Sequence, residues 1–450
     1  SNAGTNDFNE IIEGYNALSD EQKSKLDIVV AFGGANKEGW QGMKIATIAQ
    51  IIEDSQDGIY GNSSNYEYVA NEANMGHKSS LKLFLSYVKN NYNNHSEKFA
   101  DMWDHGSGSV FLLGSDDNYG GNTGNEKLSI LKNADFESVL KEIDMKFDLF
   151  GFDACLNASM EVAKSIAPYA TYMVASQETE PGHGWNYTHL ITNYAKSTSF
   201  ETLGQELVDS FVKTENHYVV QDGQKRYFSA QSSDGKTLSL ANLTKFDALI
   251  AKVNELGNEL VKIKEDENLK NATIEAITNA RGYNTDKEDK SKKAQIDLKH
   301  FALLLKNSLA NANQTDHKVY TLANEVIKAV DEYVVYSKDD GTRSNSAGVA
   351  LFSLNDNGNM FSWLDHYKES AVASNEWFNA VSTYQNLGNA DTQKPEVTNE
   401  EANATLDVST WEKEVRESCA EYLTQMPDDL EYATEAQNSC LADNGLTPLE

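Results

Sequence analysis

The sequence predicts an α/β protein in which helices cover both faces of a mostly parallel β-sheet. Short apolar runs alternate along the chain with longer segments whose apolar residues recur every three or four positions, as in strand–helix–strand units. Several of these runs end in small and polar residues, and ligands bind at such strand exits in parallel sheets. Both observations favour a sheet with a site at the carboxyl ends of its strands.

The first half of the chain supplies the strands of this sheet. Residues 26–32 (LDIVVAF) form a continuous apolar run that ends at a pair of glycines. Residues 156–167 carry apolar side chains at helical spacing, and Pro168 ends that pattern. Right-handed crossovers between successive strands would make them parallel. The full prediction is helix 80–92, strands 99–103 and 110–113, helix 134–144, strand 147–152, helix 156–167 and strand 171–175.

The chain changes character after residue 240, where helical patterns dominate. We expect a charged loop at 284–295 and helices at 296–305 and 319–335, followed by a strand at 346–354 (SAGVALFSL) that returns to the sheet. The predicted organisation is an N-terminal segment at 1–25, a core at 26–240, a helical region at 241–335, a return strand and helix at 336–387 that complete the core, an acidic linker at 388–409 and a small helical appendage at 410–450.

The composition argues against two classes of partner. The 450 residues include 38 basic and 69 acidic side chains, which gives a net charge of −31 at pH 7. Such a surface repels nucleic acid and anionic lipid, and no apolar run is long enough for membrane insertion. The charge attracts cationic substrates weakly at physiological salt, although the solvated face of a secreted protein explains it equally well. The opening residues 1–3 look like an expression scar, so we expect that a signal peptide has been removed.

The three cysteines fall into two groups. Cys419 and Cys440 lie 440 − 419 = 21 residues apart in the predicted appendage, and they can form a disulfide if the protein is exported. Cys155 lies outside this pair, and such a cysteine is either a buried packing residue or a reactive thiol. Taken alone, the buried structural cysteine is the more common case.

A thiol and an imidazole both follow apolar strands of the predicted sheet. Cys155 and His105 are the two residues, and strand exits of a parallel sheet meet at one edge. The imidazole can therefore come close enough to draw the proton from the thiol. Gly106 and Gly108 leave the backbone beside His105 uncovered, so N–H groups there can face a developing oxyanion.

His183 is a rival for the histidine role, because it also follows a strand exit. It lies in a longer loop, so the sheet constrains its position less than that of His105. The separation of 155 − 105 = 50 residues between His105 and Cys155 is similar to the histidine-to-cysteine spacing of caspases. The pattern therefore favours His105.

Three motifs together resemble the clostripain family of cysteine peptidases, which belongs to the caspase-like clan. They are WDHGSG at 103–108, FDACLNASMEVA at 152–163 and ASQETEPGHGWNY at 175–187, and the resemblance extends over residues 26–385. It implies a caspase-like sheet, His105 as general acid and base, Cys155 as nucleophile, and an oxyanion hole of backbone N–H groups near Gly106 and Cys155. The caspase pattern Gln-Ala-Cys-x-Gly is not matched, since this chain has Asp-Ala-Cys-Leu-Asn.

The resemblance also implies cleavage after arginine or lysine. A cationic side chain needs a carboxylate opposite it, and Asp153 shares a face with Cys155 in an extended segment. Glu178, Glu180 and Trp185 lie at the next strand exit and are further candidates for substrate binding. The alternatives are that Asp153 caps the helix predicted at 156–167 and that the glutamates lie in a solvated loop.

Many relatives cut their own chain between the histidine and the cysteine. The Gly-rich loop 114–127 ends in Lys127 and is followed by Lys132, so we predict processing after one of these lysines. Some relatives depend on calcium, and the loop is acidic, although its spacing does not fit an EF-hand. No cofactor is required by the predicted chemistry, and calcium is the one candidate.

The sequence thus predicts a secreted or cell-surface monomeric endopeptidase that acts on proteins and peptides with basic residues. One alternative is a catalytically silent module that binds partners through the same fold. Another is a metal-dependent hydrolase with ligands from Asp101, Asp104 and His105. Adjacent residues of a strand point to opposite faces, which makes joint ligation by Asp104 and His105 awkward.

Overall fold

A computed structural model of the chain describes residues 2–57, 60–62, 65–109, 112–119, 130–213, 218–221, 224–227, 235–285, 293–352 and 375–388. Apart from Tyr119, all of them belong to one compact unit made of residues 1–118 and 129–391. The predicted linker 388–409, the appendage 410–450 and the pair Cys419 and Cys440 lie outside the described residues, except for residue 388. None of the described helices is long and apolar enough to cross a membrane.

The described strands number fifteen and the α-helices thirteen. The strands are β1 Val29–Gly33, β2 Met43–Thr47, β3 Tyr68–Ala70, β4 Phe99–Trp103, β5 Leu113–Ser115, β6 Ile130–Leu131, β7 Phe147–Asp153, β8 Ala170–Ala175, β9 Tyr218–Gln221, β10 Gln224–Tyr227, β11 Thr237–Asn242, β12 Gly282–Thr285, β13 Lys293–Asp297, β14 Val334–Asp339 and β15 Ala350–Phe352. The helices are α1 Asn2–Asn16, α2 Asp20–Lys23, α3 Ile48–Asp57, α4 Lys78–Asn91, α5 Asn133–Ile143, α6 Met160–Ile166, α7 Tyr187–Tyr194, α8 Phe200–Lys213, α9 Phe246–Lys262, α10 Glu267–Asn279, α11 Leu298–Asn311, α12 Lys318–Tyr333 and α13 Asn375–Gly388.

The central sheet has five strands in the order β14-β11-β8-β7-β4. The pairs β4–β7 and β7–β8 are parallel, whereas β11 runs antiparallel to both β8 and β14. The predicted α/β class is confirmed, and the three strands that lead to the candidate site are parallel as expected. The antiparallel side of the sheet begins at β11.

Helices cover both faces of this sheet, and β7 shows why its sequence is almost continuously apolar. Leu149 packs into the core formed with α1, α3, α7 and α8. Phe150 and Phe152 pack into the other core, with α5, α6 and the helices that follow β11. A strand buried on both faces needs apolar residues at successive positions rather than at alternate ones.

Two predicted strands belong to smaller sheets. The run at 26–32 contains β1, which pairs with β2 in the three-stranded antiparallel sheet β1-β2-β3. The strand expected at 346–354 is β15, and it pairs with β13 rather than returning to the central sheet. The central sheet is instead extended by β14, which the sequence reading missed. The strand ends in the polar residues Ser337-Lys338-Asp339, which suit a strand at the edge of a sheet. Because these residues are not apolar, the sequence pattern does not predict a strand there.

The other predicted elements lie close to their expected positions. Of the strand predicted at 110–113, residues 110 and 111 lie outside the described residues, and β5 begins at Leu113. The charged loop predicted at 284–295 is flanked by β12 and β13, whose ends fall inside it, and residues 286–292 lie outside the described residues.

Candidate active site

Cys155 lies in the turn between β7 and α6. Leu156 has a φ of 67°, which lies in the left-handed region. Residues other than glycine seldom adopt this conformation. Helix α6 begins only at Met160, and the hydroxyl of Ser159 caps it by accepting the N–H of Val162 at 3.3 Å. The helix predicted at 156–167 therefore starts four residues late, and the alternative that Asp153 caps it is wrong.

The loop that carries His105 crosses directly over this turn. Strands β4 and β7 are parallel neighbours in which Trp103 pairs with Asp153, so both loops leave the same edge at the same level. A Cβ on Gly106 would clash with the carbonyl oxygen of Cys155. The predicted need for glycine beside the histidine thus has a steric cause in addition to the exposed backbone.

Gly108 makes the second close approach between the two loops. Its φ is 56°, and a Cβ there would clash with the carbonyl oxygen of Leu156. Asn157 then ties the loops together: its Oδ1 accepts the N–H of Gly108 at 3.2 Å, and its Nδ2 donates to the carbonyl of Leu112 at 3.1 Å. The sequence analysis did not identify Asn157, which fixes the position of the cysteine turn.

The sulfur of Cys155 is surrounded by backbone donors. Its Sγ accepts the N–H of Glu180 at 3.2 Å, and the N–H of Gly106 also stabilises the thiolate. Burial raises the pKa of the thiol, and the charge of Asp153 adds to this, so the donors only partly offset the shift. A thiol with a raised pKa needs a base before it can act as a nucleophile.

His105 is the base that the sequence predicts for this step. Its side chain is exposed, and its backbone N–H donates to the carboxylate of Asp104 at 2.6 Å. Within the described part of the chain, its ring makes no hydrogen bond to Cys155, whose sulfur is bonded to Glu180 instead. The two residues share an edge of the sheet but do not form a hydrogen-bonded pair in this structure, and such contacts often close only when substrate binds.

The backbone donors of the predicted oxyanion hole have different surroundings. The N–H of Gly108 is occupied by Asn157, so it cannot serve. The N–H groups of Gly106 and Cys155 both act on the Cys155 sulfur, which is where an attacked carbonyl would be bound. The N–H of Glu180 is a third donor at the sulfur. Glu180 follows β8 whereas Cys155 follows β7, so the sequence did not predict this hydrogen bond.

Asp153 is 4% exposed and lies in a buried group of acidic side chains. It accepts the backbone N–H of Trp185 at 3.0 Å and the hydroxyl of Tyr187 at 2.9 Å. The same hydroxyl lies 2.7 Å from Asp101, although it has only one proton to donate. Burial and the charge of Asp153 raise the pKa of Asp101 to about 7.

Gly184 allows this arrangement at Asp153. Its φ is 59°, and a Cβ there would lie 2.8 Å from the Asp153 carboxylate. Glu180 also faces Asp153, and both of its carboxylate oxygens lack a hydrogen-bond partner among the described residues. Burial and then the charge of Asp153 raise the pKa of Glu180 well above its usual range. Asp153 and Glu180 thus form a buried acidic group next to Cys155.

Two other predicted substrate residues have different surroundings. Glu178 is buried and paired with Arg343, whose Nε donates to its Oε2 at 2.9 Å. An arginine of the same chain therefore already pairs with this carboxylate, which argues against contact with a substrate cation, and the role of Glu178 in substrate binding stays a prediction. Trp185 is 0% exposed and packs over Gly151, so it supports the acidic group from within the core and does not offer a contact surface.

Arg343→Met will destabilise the fold, because it leaves Glu178 as a buried charge without its partner. We expect a loss of about 2–3 kcal/mol in the free energy of unfolding, below the range for a fully buried pair since the arginine is partly exposed. Denaturant unfolding of Arg343→Met and of Arg343→Met/Glu178→Gln measures it, and the double variant should recover most of the loss. Lys25→Met, which breaks an exposed pair with Glu21, is the control and should change little. Equal stability of Arg343→Met and the wild type would contradict the assignment.

His183 makes its contacts with Gly184 and Phe211 and not with the sulfur of Cys155. Its Nδ1 lies 2.9 Å from the carbonyl oxygen of Gly184, and its ring packs against Phe211 at a centroid distance of 6.3 Å. Among the described residues it forms no hydrogen bond with Cys155, whose sulfur is hydrogen-bonded to the backbone of Glu180. These contacts favour His105 over His183, as the sequence pattern does.

The loop between β5 and α5 is described only at its ends. Lys132 immediately precedes α5, and Lys127 lies outside the described residues, so the processing sites stay a prediction. Asp116 is buried and accepts the N–H groups of Met75 at 2.8 Å and Asn118 at 2.9 Å. In the described part of the chain, no group of three or more His, Cys, Asp or Glu side chains could hold a metal ion. Calcium binding also stays a prediction.

Comparison with known proteins adds two findings. A family model described as the clostripain family, Peptidase C11, matches residues 2–387. The chain is structurally similar to a secreted C11 cysteine protease from Bacteroides thetaiotaomicron in complex with an irreversible peptide inhibitor, with a TM-score of 0.54, 16% identity and coverage of 85% of this chain and 95% of that one. It is also similar to an inactive zymogen C11 protease from Parabacteroides distasonis, with a TM-score of 0.52, 14% identity and coverage of 84% and 93%. No curated protein sequence matches the chain significantly.

Proposed function

The chain belongs to the clostripain family of cysteine peptidases, and on that premise we propose that it is an endopeptidase that cleaves after arginine or lysine through Cys155 and His105. The observation that carries this proposal is the juxtaposition at one sheet edge of a thiol, backbone donors and buried carboxylates. The thiol supplies the nucleophile, the donors suit an oxyanion, and the carboxylates suit a cation.

The proposed reaction begins with transfer of the Cys155 proton to His105. The thiolate then attacks the carbonyl carbon of the substrate, and the N–H groups of Gly106 and Cys155 bind the resulting oxyanion. Collapse of this intermediate breaks the peptide bond, and His105 gives its proton to the leaving amine. A water molecule, deprotonated by His105, hydrolyses the thioester and restores the thiol. The raised pKa of Cys155 makes the base essential, because little thiolate exists before it acts.

The specificity for basic residues is supported by the charge of the buried acidic group. Asp153 and Glu180 lie beside Cys155, and burial raises the pKa of Glu180 because its ionised form is poorly solvated there. A lysine or arginine side chain would stabilise the ionised carboxylates and donate charge-assisted hydrogen bonds to them. An apolar or acidic side chain would leave the carboxylate of Glu180 without a donor, which disfavours its binding.

Secretion and self-processing form a second part of the proposal, in which no cofactor is required and calcium is the one candidate. The net charge of −31 suits an exported protein, and one similar structure is described as a secreted protease. Another is described as an inactive zymogen, and for this chain we propose processing after Lys127 or Lys132. Edman sequencing of the purified protein tests the processing: a new N-terminus at residue 128 or 133 is the expected result.

A peptide panel tests the proposed activity. Peptides that differ only in arginine, lysine or aspartate before the scissile bond are incubated with the protein, with and without iodoacetamide and a chelator. We expect cleavage of the two basic peptides only, and its loss on alkylation. Cleavage that is insensitive to iodoacetamide but sensitive to chelator would favour the metal-dependent alternative. No cleavage of any peptide by the processed protein would favour the silent binding module.

A further inference from the structure

The N-terminal helix α1 packs against the element that completes the buried acidic group. Glu10 accepts the backbone N–H of Tyr187 at 2.8 Å, and the hydroxyl of Thr188 donates to the carbonyl of Glu10 at 3.1 Å. Gly14 allows this contact, because a Cβ there would lie 2.9 Å from the side chain of Ile191. The helix is therefore fixed to α7 along its length and cannot be treated as a loose extension of the chain.

The start of α1 reaches the edge of the sheet where the candidate site lies. A Cβ on Gly4 would lie 3.0 Å from the ring of Trp40 and 3.9 Å from that of Trp103. Trp103 ends β4 and precedes His105 by two residues, and it pairs in register with Asp153. The helix thus runs from the candidate site toward α7, past the carboxylates of the acidic group.

Asp7 projects from this helix into the acidic group. It is 7% exposed, and its Oδ2 has no hydrogen-bond partner among the described residues. Burial and then the charges of Asp153, Glu10 and Asp101 raise its pKa well above the usual range. The hydroxyl of Tyr187, which bonds Asp101 and Asp153, also interacts with Asp7.

The carboxylates with orphan oxygens come from separate elements, and each of them interacts electrostatically with Asp153. Glu180 interacts with Cys155 and Asp153, and Asp153 interacts with Asp101 and Asp7. In the described part of the chain, oxygens of Asp7, Asp101 and Glu180 lack a donor. Buried carboxylates are normally paired, and a group of free acceptor oxygens near Cys155 matches a long side chain with several N–H donors at its end.

We propose that Asp7 of the N-terminal helix is a specificity residue, whose carboxylate binds the cationic end of the substrate's lysine or arginine side chain within this acidic group. The inference rests on the proposed function, since it needs a basic residue before the scissile bond. It extends that function by making α1 part of the substrate pocket. Asp101, bridged to Asp153 by Tyr187, supplies the neighbouring acceptor.

The experiment compares Asp7→Asn with the wild type and with Asp20→Asn, an exposed residue of α2 that carries the same substitution. KM and kcat are measured with an arginine peptide, and alkylation of Cys155 is followed with iodoacetamide, which has no cationic side chain. Loss of one charge-assisted hydrogen bond should raise KM roughly 10- to 100-fold in Asp7→Asn. The alkylation rate, the kcat and the values of Asp20→Asn should change less than about threefold.

Thermal unfolding separates a binding role from a structural one. Removing an unpaired buried carboxylate should leave the Tm of Asp7→Asn unchanged or higher, because the substitution relieves repulsion from Asp153 and Asp101. An unchanged KM overturns the proposal for Asp7 and leaves the basic-residue specificity of the wild type intact. A parallel fall in alkylation, kcat and Tm also overturns it, since Asp7 would then act through the fold. If the wild type itself cleaves no basic peptide, the proposed function is overturned, and the proposal for Asp7 falls with it.

Discussion

Replacing Cys155 with alanine will lower kcat/KM for an arginine or lysine peptide by roughly 10⁴- to 10⁶-fold, because the substitution removes the atom that forms the thioester. The donors at the sulfur and the buried acidic group remain, so the variant should still bind substrate. Initial rates with the wild type and Cys155→Ala measure the effect. The stability should change by less than about 1 kcal/mol, since the turn geometry is held by Leu156 and Asn157 and not by the thiol.

Cys419→Ala/Cys440→Ala is the matched control for this substitution. It removes the other two cysteines of the chain and should leave the rate of peptide cleavage within about twofold. Mass spectrometry after treatment with an arginyl chloromethylketone should show one adduct on the control and none on Cys155→Ala. Full peptide cleavage by Cys155→Ala would rule out the thioester route.

Asp153→Asn will produce opposite effects on two reactions of the same thiol. Cleavage after arginine should fall roughly 10²- to 10³-fold, because the pocket loses the carboxylate that is central to its acidic group. Alkylation of Cys155 by iodoacetamide near pH 7 should become faster, because the charge of Asp153 raises the pKa of the thiol and its removal lowers that pKa. Rates of both reactions on the same preparation provide the measurement.

Asp148→Asn provides the control for Asp153→Asn. It makes the same substitution in β7 but at the opposite end of the strand, where Asp148 accepts the N–H of Lys98 at 2.9 Å. An asparagine oxygen can accept the same bond, so both reactions should proceed at wild-type rates. Slower alkylation in Asp153→Asn would mean that the substitution damages the nucleophile's surroundings, and the specificity role of Asp153 would lose its support.

Local patterns were sufficient to predict the elements that carry the site. The continuous apolar run of β7 and the shorter run of β4 identified two parallel strands, and the residues after them identified Cys155 and His105. The fold class and the family follow from such patterns because they depend on residue type and spacing along the chain. The start of α6 could not be predicted, since the left-handed turn at Leu156 is imposed by packing against the loop of Gly106 and Gly108.

The pairing of charges could not be predicted either. Glu178 and Glu180 are two positions apart in the same acidic segment, yet one is neutralised by Arg343 and the other faces Asp153. Arg343 is 343 − 178 = 165 residues away in the chain. No periodicity connects residues at that separation, so a sequence reading treats both glutamates alike.

Residue types and their spacing were enough to predict the α/β class, the family and the strand exits at which a cysteine and a histidine lie. They could not predict which carboxylates face Cys155, that α1 brings Asp7 to them, or that β14 rather than β15 extends the central sheet. The physical reason is the separation along the chain between the residues that interact. Strand and helix patterns arise from burial of successive residues, whereas the charge of a pocket depends on elements that meet only after the chain has folded.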